Sequence, residues 1–337
     1  MQVVLSLRVG GLERVVLDLV QNASAEFRFV VCCLEEPGAW ADEAPHVVTL
    51  GKRPGVDWRV FGKIARLVRA ERVDVIHTHN STAHLYGALG GKLAGVKVLH
   101  TEHGKNVGEE ARYHRHNRIA ARFTDFTVAV SQNNAEIAVA HEGVKLSRLQ
   151  IIPNGICVDR FDVTHHSPRR CIGTVGRLVR EKNYPLLLRA VATMDNTDLV
   201  LVGDGPLRDE LERRAGPRVQ FLGQRTDVAK LLAGFDVFVL SSSTEGMSIA
   251  LLEAMAAGCP IVVTAVGGNA ELIQHEITGL VVPPDDEAAL RAAIERLLTD
   301  RSLAARLGTA AREIAQQRYS VKVMTQRYEE LWRQLAA

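Results

Sequence analysis

Short apolar runs alternate with helix-period segments along the whole chain, and the alternation starts twice. In the first series, residues 3–5, 29–34, 47–50, 73–77, 96–101, 126–130 and 149–152 read as strands. Between them, residues 12–20, 57–72 and 82–93 carry a helical period, and a further helix starts after Ser131, a natural N-cap. Repeated β–α units predict a parallel sheet with helices on both faces. Pro153-Asn154-Gly155 and the polar stretch 162–170 then have linker chemistry. The pattern restarts with strand-like runs at 171–175, 199–202, 219–222, 237–240, 261–263 and 280–282. Helices are expected from Tyr184-Pro185, with Pro206 in a first turn, from Ser248, over 287–298 and over 303–317. A last amphipathic segment covers 321–335. The reading is α/β, two doubly wound domains with a cleft between them, divided as 1–162 and 163–319, with a terminal helix in 320–337.

Ligands of such sheets sit beyond the carboxyl ends of the strands, where this chain places its glycine-rich turns. The richest stretch is 241–258, SSSTEGMSIALLEAMAAG. Glu245-Gly246 follows a buried strand, and the helix starting near Ser248 offers free N–H groups and a positive dipole end, which suits a phosphate. Glu253 stands among Ile249, Leu251, Leu252, Ala254 and Met255, where a carboxylate needs a partner. It meets a ligand, snorkels to the surface or caps a local N–H. Arg177 and Lys182, in GRLVREKNY after the first strand of the second domain, offer a planar fork and a point charge for a diphosphate, or form a solvated loop. His103 ends a strand that also carries His100 and Glu102, and His77 and His79 end its neighbour. These rings bond a ligand or simply pack; their spacing matches no zinc motif. Gly10-Gly11 either permits close backbone approach to a phosphate or an acceptor or is a plain tight turn, and it lacks the third glycine and the acidic residue of a dinucleotide fingerprint.

Composition narrows the field. The 337 residues suit two domains, and the net charge of +2 argues against nucleic acid as the main partner. The local exception is a basic surface of Arg112, Arg115, Arg118 and Arg122 with His114 and His116, read as a solvated face or a contact for anionic lipid or an acidic acceptor. The five cysteines form no Cys-x-x-Cys pair, and adjacent Cys32 and Cys33 point to opposite faces of their strand. That usage fits a reducing, cytoplasmic setting. The opening MQVVLSLRVGGLER is too short and too charged for a signal peptide, and no later apolar run reaches membrane-spanning length.

VGGLER, TEHG, AVSQNN, IPNGI, VGRLVREKN, LVGDGPL, FLG, SSTEGMSIALLEAMAAGCPIV and VGGNAELI occur in that order over nearly the whole chain. Together they resemble the group-1 (family-4) retaining glycosyltransferases with the GT-B fold of two Rossmann-like domains facing across a cleft. The most specific part is Glu245-x7-Glu253 in its setting. The resemblance implies that Arg177 and Lys182 hold the donor diphosphate, Glu245 the transferred sugar and Glu253 the ribose hydroxyls. Backbone N–H groups of Gly246, Met247, Ser248 and Ile249 would meet phosphate or sugar. Gly11 would approach the donor phosphates, and His103 would lie beside the donor sugar. It implies that the terminal helix returns to the first domain. Cys157 and Asn269 depart from the family's usual Asp and Pro.

The implied reaction moves a sugar, with a UDP- or GDP-sugar favoured as donor, to a glycan or lipid-linked acceptor in polysaccharide, lipopolysaccharide or glycolipid synthesis. No cofactor or metal is expected, and no Asp-x-Asp motif is present. The catalytic candidates are His103, Arg177, Lys182 and Glu245. A cytoplasmic enzyme, peripheral on the inner membrane face through the basic surface, is the expected setting. A nucleotide-sugar epimerase of this fold, a phosphorylase, or a non-catalytic nucleotide-sugar-binding protein stands as the alternative.

Overall fold

The computed structural model describes residues 1–104, 110–162 and 170–337. It divides into two compact units, Met1–Gly155 with Val321–Ala337, and Ile156–Ser320. In the first, β1 (Gln2–Val4), α1 (Gly11–Asn22), β2 (Val31–Cys33), β3 (Val47–Thr49), α2 (Arg59–Ala70), β4 (Val75–His79) and α3 (Ser81–Ala94) come first. They are followed by β5 (Lys97–Glu102), α4 (Glu110–Ala120), β6 (Phe126–Ala129), α5 (Gln132–Glu142) and β7 (Leu149–Ile151). The sheet runs β3-β2-β1-β4-β5-β6-β7, and its strands pair in parallel. Strands buried on both faces favour apolar residues, which explains the near-continuous runs, while the carboxyl-terminal halves of β4 and β5 carry buried His, Thr and Glu side chains instead. Val3, Cys32 and Ile76 pack with Val60, Ile64 and Val68 of α2. Val4 and Cys33 pack instead with Val16, Leu17 and Val20 of α1. The adjacent cysteines therefore serve opposite layers, both as free, buried thiols.

The second unit contains β8 (Arg170–Val175), α6 (Tyr184–Val191), β9 (Thr197–Val202), α7 (Arg208–Arg214), β10 (Val219–Phe221), α8 (Val228–Leu232) and β11 (Val237–Leu240). It continues with α9 (Ile249–Ala257), β12 (Ile261–Thr264), α10 (Asn269–Leu272), β13 (Leu280–Val282), α11 (Glu287–Thr299) and α12 (Arg301–Arg318). Its sheet runs β10-β9-β8-β11-β12-β13. Strand order reverses between β8 and β11, which makes their carboxyl ends the topological switch point.

The last helix, α13 (Val321–Ala336), belongs to the first unit, where the resemblance expects it. Trp332 is buried, with its indole 5.3 Å from the Phe27 ring and 5.4 Å from Phe29. The buried Tyr328 hydroxyl meets Thr101 Oγ1 at 3.0 Å, and the Arg327 guanidinium donates to the Ile151 carbonyl.

The division falls earlier than the polar stretch suggests. Residues 156–162 sit in the second unit because Ile156 donates its N–H to the Tyr319 carbonyl at 2.8 Å, and the turn Val158–Phe161 packs on α9. Of the presumed linker, 163–169 lies outside the described residues. Pro206 is not in a helix. It stands in a turn before α7, whose backbone is used elsewhere, with the Leu207 N–H on the Leu178 carbonyl at 3.0 Å. The short helices α8 and α10 span too few residues to carry a readable period.

Candidate functional site

The loops after β8 and β11 leave the switch point side by side and are tied together. The Ser241 hydroxyl lies 3.0 Å from the Lys182 carbonyl and 3.2 Å from that of Asn183, and the Ser243 N–H donates to the Glu181 carbonyl at 2.8 Å. Lys182 ends the one-turn helix Arg180–Lys182, and its Nζ reaches Glu245 Oε1 at 2.5 Å. The fully buried Ser242 donates its hydroxyl to the same oxygen at 2.6 Å. Glu245 is therefore held by a cation and a hydroxyl, and its side chain is only 9% exposed. Ser248 caps α9 by accepting the Leu251 N–H at 3.3 Å. Thus Ser241 and Ser243 join the two loops, Ser242 places Glu245 and Ser248 starts α9.

Two glycine turns brace these loops from the flanking strands. After β9, Gly203 has φ +131°, and a Cβ there would stand 2.0 Å from the Gly176 carbonyl oxygen. The Leu178 N–H donates to the Asp204 carbonyl at 2.9 Å, so the Gly203-Asp204-Gly205 turn lies flat against the segment that presents Arg177. After β12, Gly267 has φ +46°, and a Cβ would stand 1.9 Å from the Glu245 carbonyl oxygen. The Gly268 N–H donates to the Gly246 carbonyl at 3.1 Å, and the Thr264 hydroxyl to the Ser242 carbonyl at 2.6 Å. Only glycine fits both the backbone conformation and the close approach. Sequence reasoning missed Ser242, Thr264, Gly267 and Gly268 as functional positions, although the serine run and Val266-Gly267-Gly268 were the signal.

The other residues singled out in this unit fall around the same strand ends. Arg177 is exposed beyond β8. Gly246 and Ile249 are half-buried, while Met247 and Ser248 are buried. Glu253 is half-buried in the second turn of α9. Asn269 is buried and donates to the Thr264 carbonyl at 3.2 Å.

In the first unit, Gly11 is exposed at the start of α1. The Glu13 carboxylate lies 2.3 Å from where a Cβ on Gly10 would stand, so the helix N-terminus already faces an anion from its own first turn. His103, half-buried just past β5, meets His79 through its Nε2, 3.0 Å from His79 Nδ1. On the opposite face of the sheet His84 and His100 stack, with centroids 3.6 Å apart. Burial lowers His77, His79 and His84 well below the ordinary histidine range, and it lowers His103 to about 4. Neighbouring His100 adds to this shift for His103, while Glu102 opposes it. These rings stay neutral in the folded protein where an unfolded chain would charge them, below about pH 6.5. The unfolded state then binds more protons, so stability is expected to fall as pH drops from 7 toward 4. A scan of Tm against pH checks this; a flat profile between pH 7 and 5 would contradict it.

Among the described residues no group of three or more His, Cys, Asp or Glu side chains is placed to hold a metal ion. Arg115, Arg118 and Arg122 are exposed along α4 and the turn after it, whereas the Arg112 side chain lies outside the described residues. Arg118 and Arg122, with Lys145 and Arg148, line a cavity of about 420 Å³. Arg118 donates to the His141 carbonyl at 2.9 Å in the last turn of α5, where cations complement the helix dipole. No helix among the described residues is long and apolar enough to cross a membrane.

Residues 9–160 match the family model for glycosyltransferase family 4, and residues 169–300 that for group 1 glycosyl transferases. The chain is 29% identical over 279 residues to the UDP-Gal:alpha-D-GlcNAc-diphosphoundecaprenol alpha-1,3-galactosyltransferase of Escherichia coli, an overlap covering 73% of this chain and 72% of that protein. It is also 29% identical to the N-acetyl-alpha-D-glucosaminyl L-malate synthase of Bacillus anthracis, over 83% of this chain and 79% of that one. The crystal structure of Anabaena HepE with UDP-glucose shares the fold, with a TM-score of 0.86 at 23% identity over 99% of each chain.

Proposed function

From the premise that the chain belongs to the group 1, family 4 glycosyltransferases, a GT-B family, we propose that it transfers a sugar from a UDP- or GDP-sugar to a glycan or lipid-linked acceptor, with retention and without a bound metal. The observation that carries this reading is the meeting of Lys182 and Glu245 at the β8–β11 switch point. It joins a diphosphate-binding cation to a carboxylate suited to sugar hydroxyls, with Arg177 on the same loop and the α9 N-terminus following. A UDP-sugar and a lipid diphosphate occur in the name of the Escherichia coli relative, which favours that donor and that acceptor class.

In this reading the departing nucleotide gains charge as the sugar acquires oxocarbenium character. Arg177, Lys182 and the N–H groups of Gly246, Met247, Ser248 and Ile249 stabilise that charge, doing the work of an oxyanion hole. Lys182 exchanges the Glu245 carboxylate for the diphosphate, which frees Glu245 for the sugar. Glu253 takes the ribose hydroxyls, Gly11 approaches the phosphates and His103 meets a sugar hydroxyl. The acceptor attacks from the face the nucleotide leaves, and the leaving phosphate accepts its proton. Arg115, Arg118 and Arg122, with Arg112, are proposed to contact anionic lipid.

The test is a thermal-shift panel of UDP, GDP, ADP and their sugars, with and without EDTA, followed by transfer to lipid-linked acceptors. A bound nucleotide at a hundred times its Kd adds about 2.7 kcal/mol to stability. UDP or GDP should raise Tm in EDTA, and the product should keep the donor's anomeric configuration. If no nucleotide shifts Tm and no sugar moves, the reading fails. Sedimentation with anionic vesicles at low salt tests the lipid contact separately, and failure to sediment would remove it.

A further inference from the structure

We propose that His79 is a positioning residue that fixes the tautomer of His103, so that His103 offers a bare Nδ1 to a hydroxyl of the transferred sugar. The inference rests on the reading of His103 as a sugar-facing ring, and its first half stands without that reading.

The hydrogen bonds set the direction of the chain of rings. His79 Nε2 lies 2.8 Å from Gln2 Oε1. An amide oxygen can only accept, so His79 carries its proton on Nε2. A neutral imidazole has one N–H, so His79 Nδ1 is a lone pair. That lone pair lies 3.0 Å from His103 Nε2, which must donate. His103 is then protonated on Nε2 and bare on Nδ1. The scheme needs both rings neutral, and burial keeps them so at pH 7.

Register and packing hold the chain in place. Gln2, His79 and His103 come from β1, the end of β4 and the residue after β5, three neighbouring strands. His79 is fully buried, with the His77 ring centroid 4.1 Å away. His77 is tied in turn through Nε2 to Thr101 Oγ1 at 2.7 Å, and Thr101 to the Tyr328 hydroxyl. Among the described residues, His103 forms its hydrogen bond through Nε2 and leaves Nδ1 for a ligand.

A bare ring nitrogen selects its partner. It accepts from a hydroxyl and repels the acceptor-only oxygens of phosphate or carboxylate. A sugar lacking the hydroxyl in question should therefore be discriminated against, because the polar ring is left unpaired.

Long-range proton–nitrogen correlation of histidine side chains in the full-length, ligand-free protein at pH 7 reads the tautomer directly. Nε2 of His103 should be of the protonated, pyrrole type and Nδ1 of the pyridine type. A His103 protonated on Nδ1 overturns the proposal without any variant. His79→Asn places an amide oxygen near the position of Nδ1 and should keep the tautomer. His79→Leu removes the acceptor and should release it, with kcat/KM for UDP-sugar turnover down about tenfold, the worth of about one hydrogen bond. An unchanged His103 spectrum in folded His79→Leu also overturns it. If the spectra follow expectation but neither UDP-glucose nor GDP-mannose raises Tm, His79 still sets the tautomer and the sugar-hydroxyl half is overturned.

Discussion

Lys182→Ala is expected to lower kcat/KM about 100- to 1000-fold, the usual loss when one donor to a developing negative charge is removed. The same change strands Glu245. Its side chain is 9% exposed and would keep only the Ser242 hydroxyl, so stability should also fall, by about 2 kcal/mol. The two effects can be separated. Glu245→Gln removes the charge while keeping an oxygen for Ser242, so Lys182→Ala/Glu245→Gln should recover most of the stability and none of the activity. Arg177→Ala tests the other cation of the same loop, and turnover should fall by a similar factor. Urea unfolding and steady-state kinetics on the four proteins check this. Activity of Lys182→Ala within tenfold of the parent would remove Lys182 from the diphosphate site.

Gly267→Ala is expected to be nearly as damaging, although the residue bears no functional group. Its φ of +46° costs an alanine about 1 kcal/mol, and the new Cβ would fall 1.9 Å from the Glu245 carbonyl oxygen. The Glu245–Gly246 segment must therefore shift, at a further cost of about 2 kcal/mol. Moving that segment displaces the carboxylate that Lys182 and Ser242 hold, so kcat/KM should drop at least about tenfold, in line with misplaced catalytic groups elsewhere. Gly216→Ala is the control. Gly216 is exposed, has no positive φ and has nothing within 4 Å of a new Cβ, so it should change stability by no more than about 0.5 kcal/mol. If Gly267→Ala lost stability and kept full turnover, the glycine turn would be structural and would not position Glu245.

Much of the architecture was legible because its signals are local. Strands buried on both faces write themselves as unbroken apolar runs, and Ser131 and Ser248 mark helix starts by capping them. The residues around β8 and β11 were legible for a related reason, as cations, glycines and a carboxylate beyond strand ends. What escaped was the bracing. Thr264 on Ser242, Gly267 on Glu245 and Gly203 on Gly176 join positions more than twenty residues apart, brought together only by strand order. Such contacts leave no periodic trace. The pairing of His79 with His103 escaped likewise, since register between β4 and β5 creates it. Pro206 misled because its preference for a first helical turn competes with a turn in which the Leu207 N–H serves the neighbouring loop.

The placement of α13 has a consequence for the order in which the chain acquires its structure. Residues 1–155 leave the ribosome with the Phe27 and Phe29 rings uncovered, and Trp332 follows roughly ten to thirty seconds later at ordinary translation rates. Joining two segments across so long an intervening stretch carries a closure entropy on the order of 4 to 5 kcal/mol. Folding of Ile156–Ser320 removes most of that cost beforehand, because the hydrogen bond from Ile156 to Tyr319 brings the two chain crossings together. The inserted unit thereby acts as an intramolecular clamp on the two chain segments that flank it in sequence. A substitution that slows its folding should lengthen the interval during which nascent aromatic surface is open to aggregation or chaperone capture.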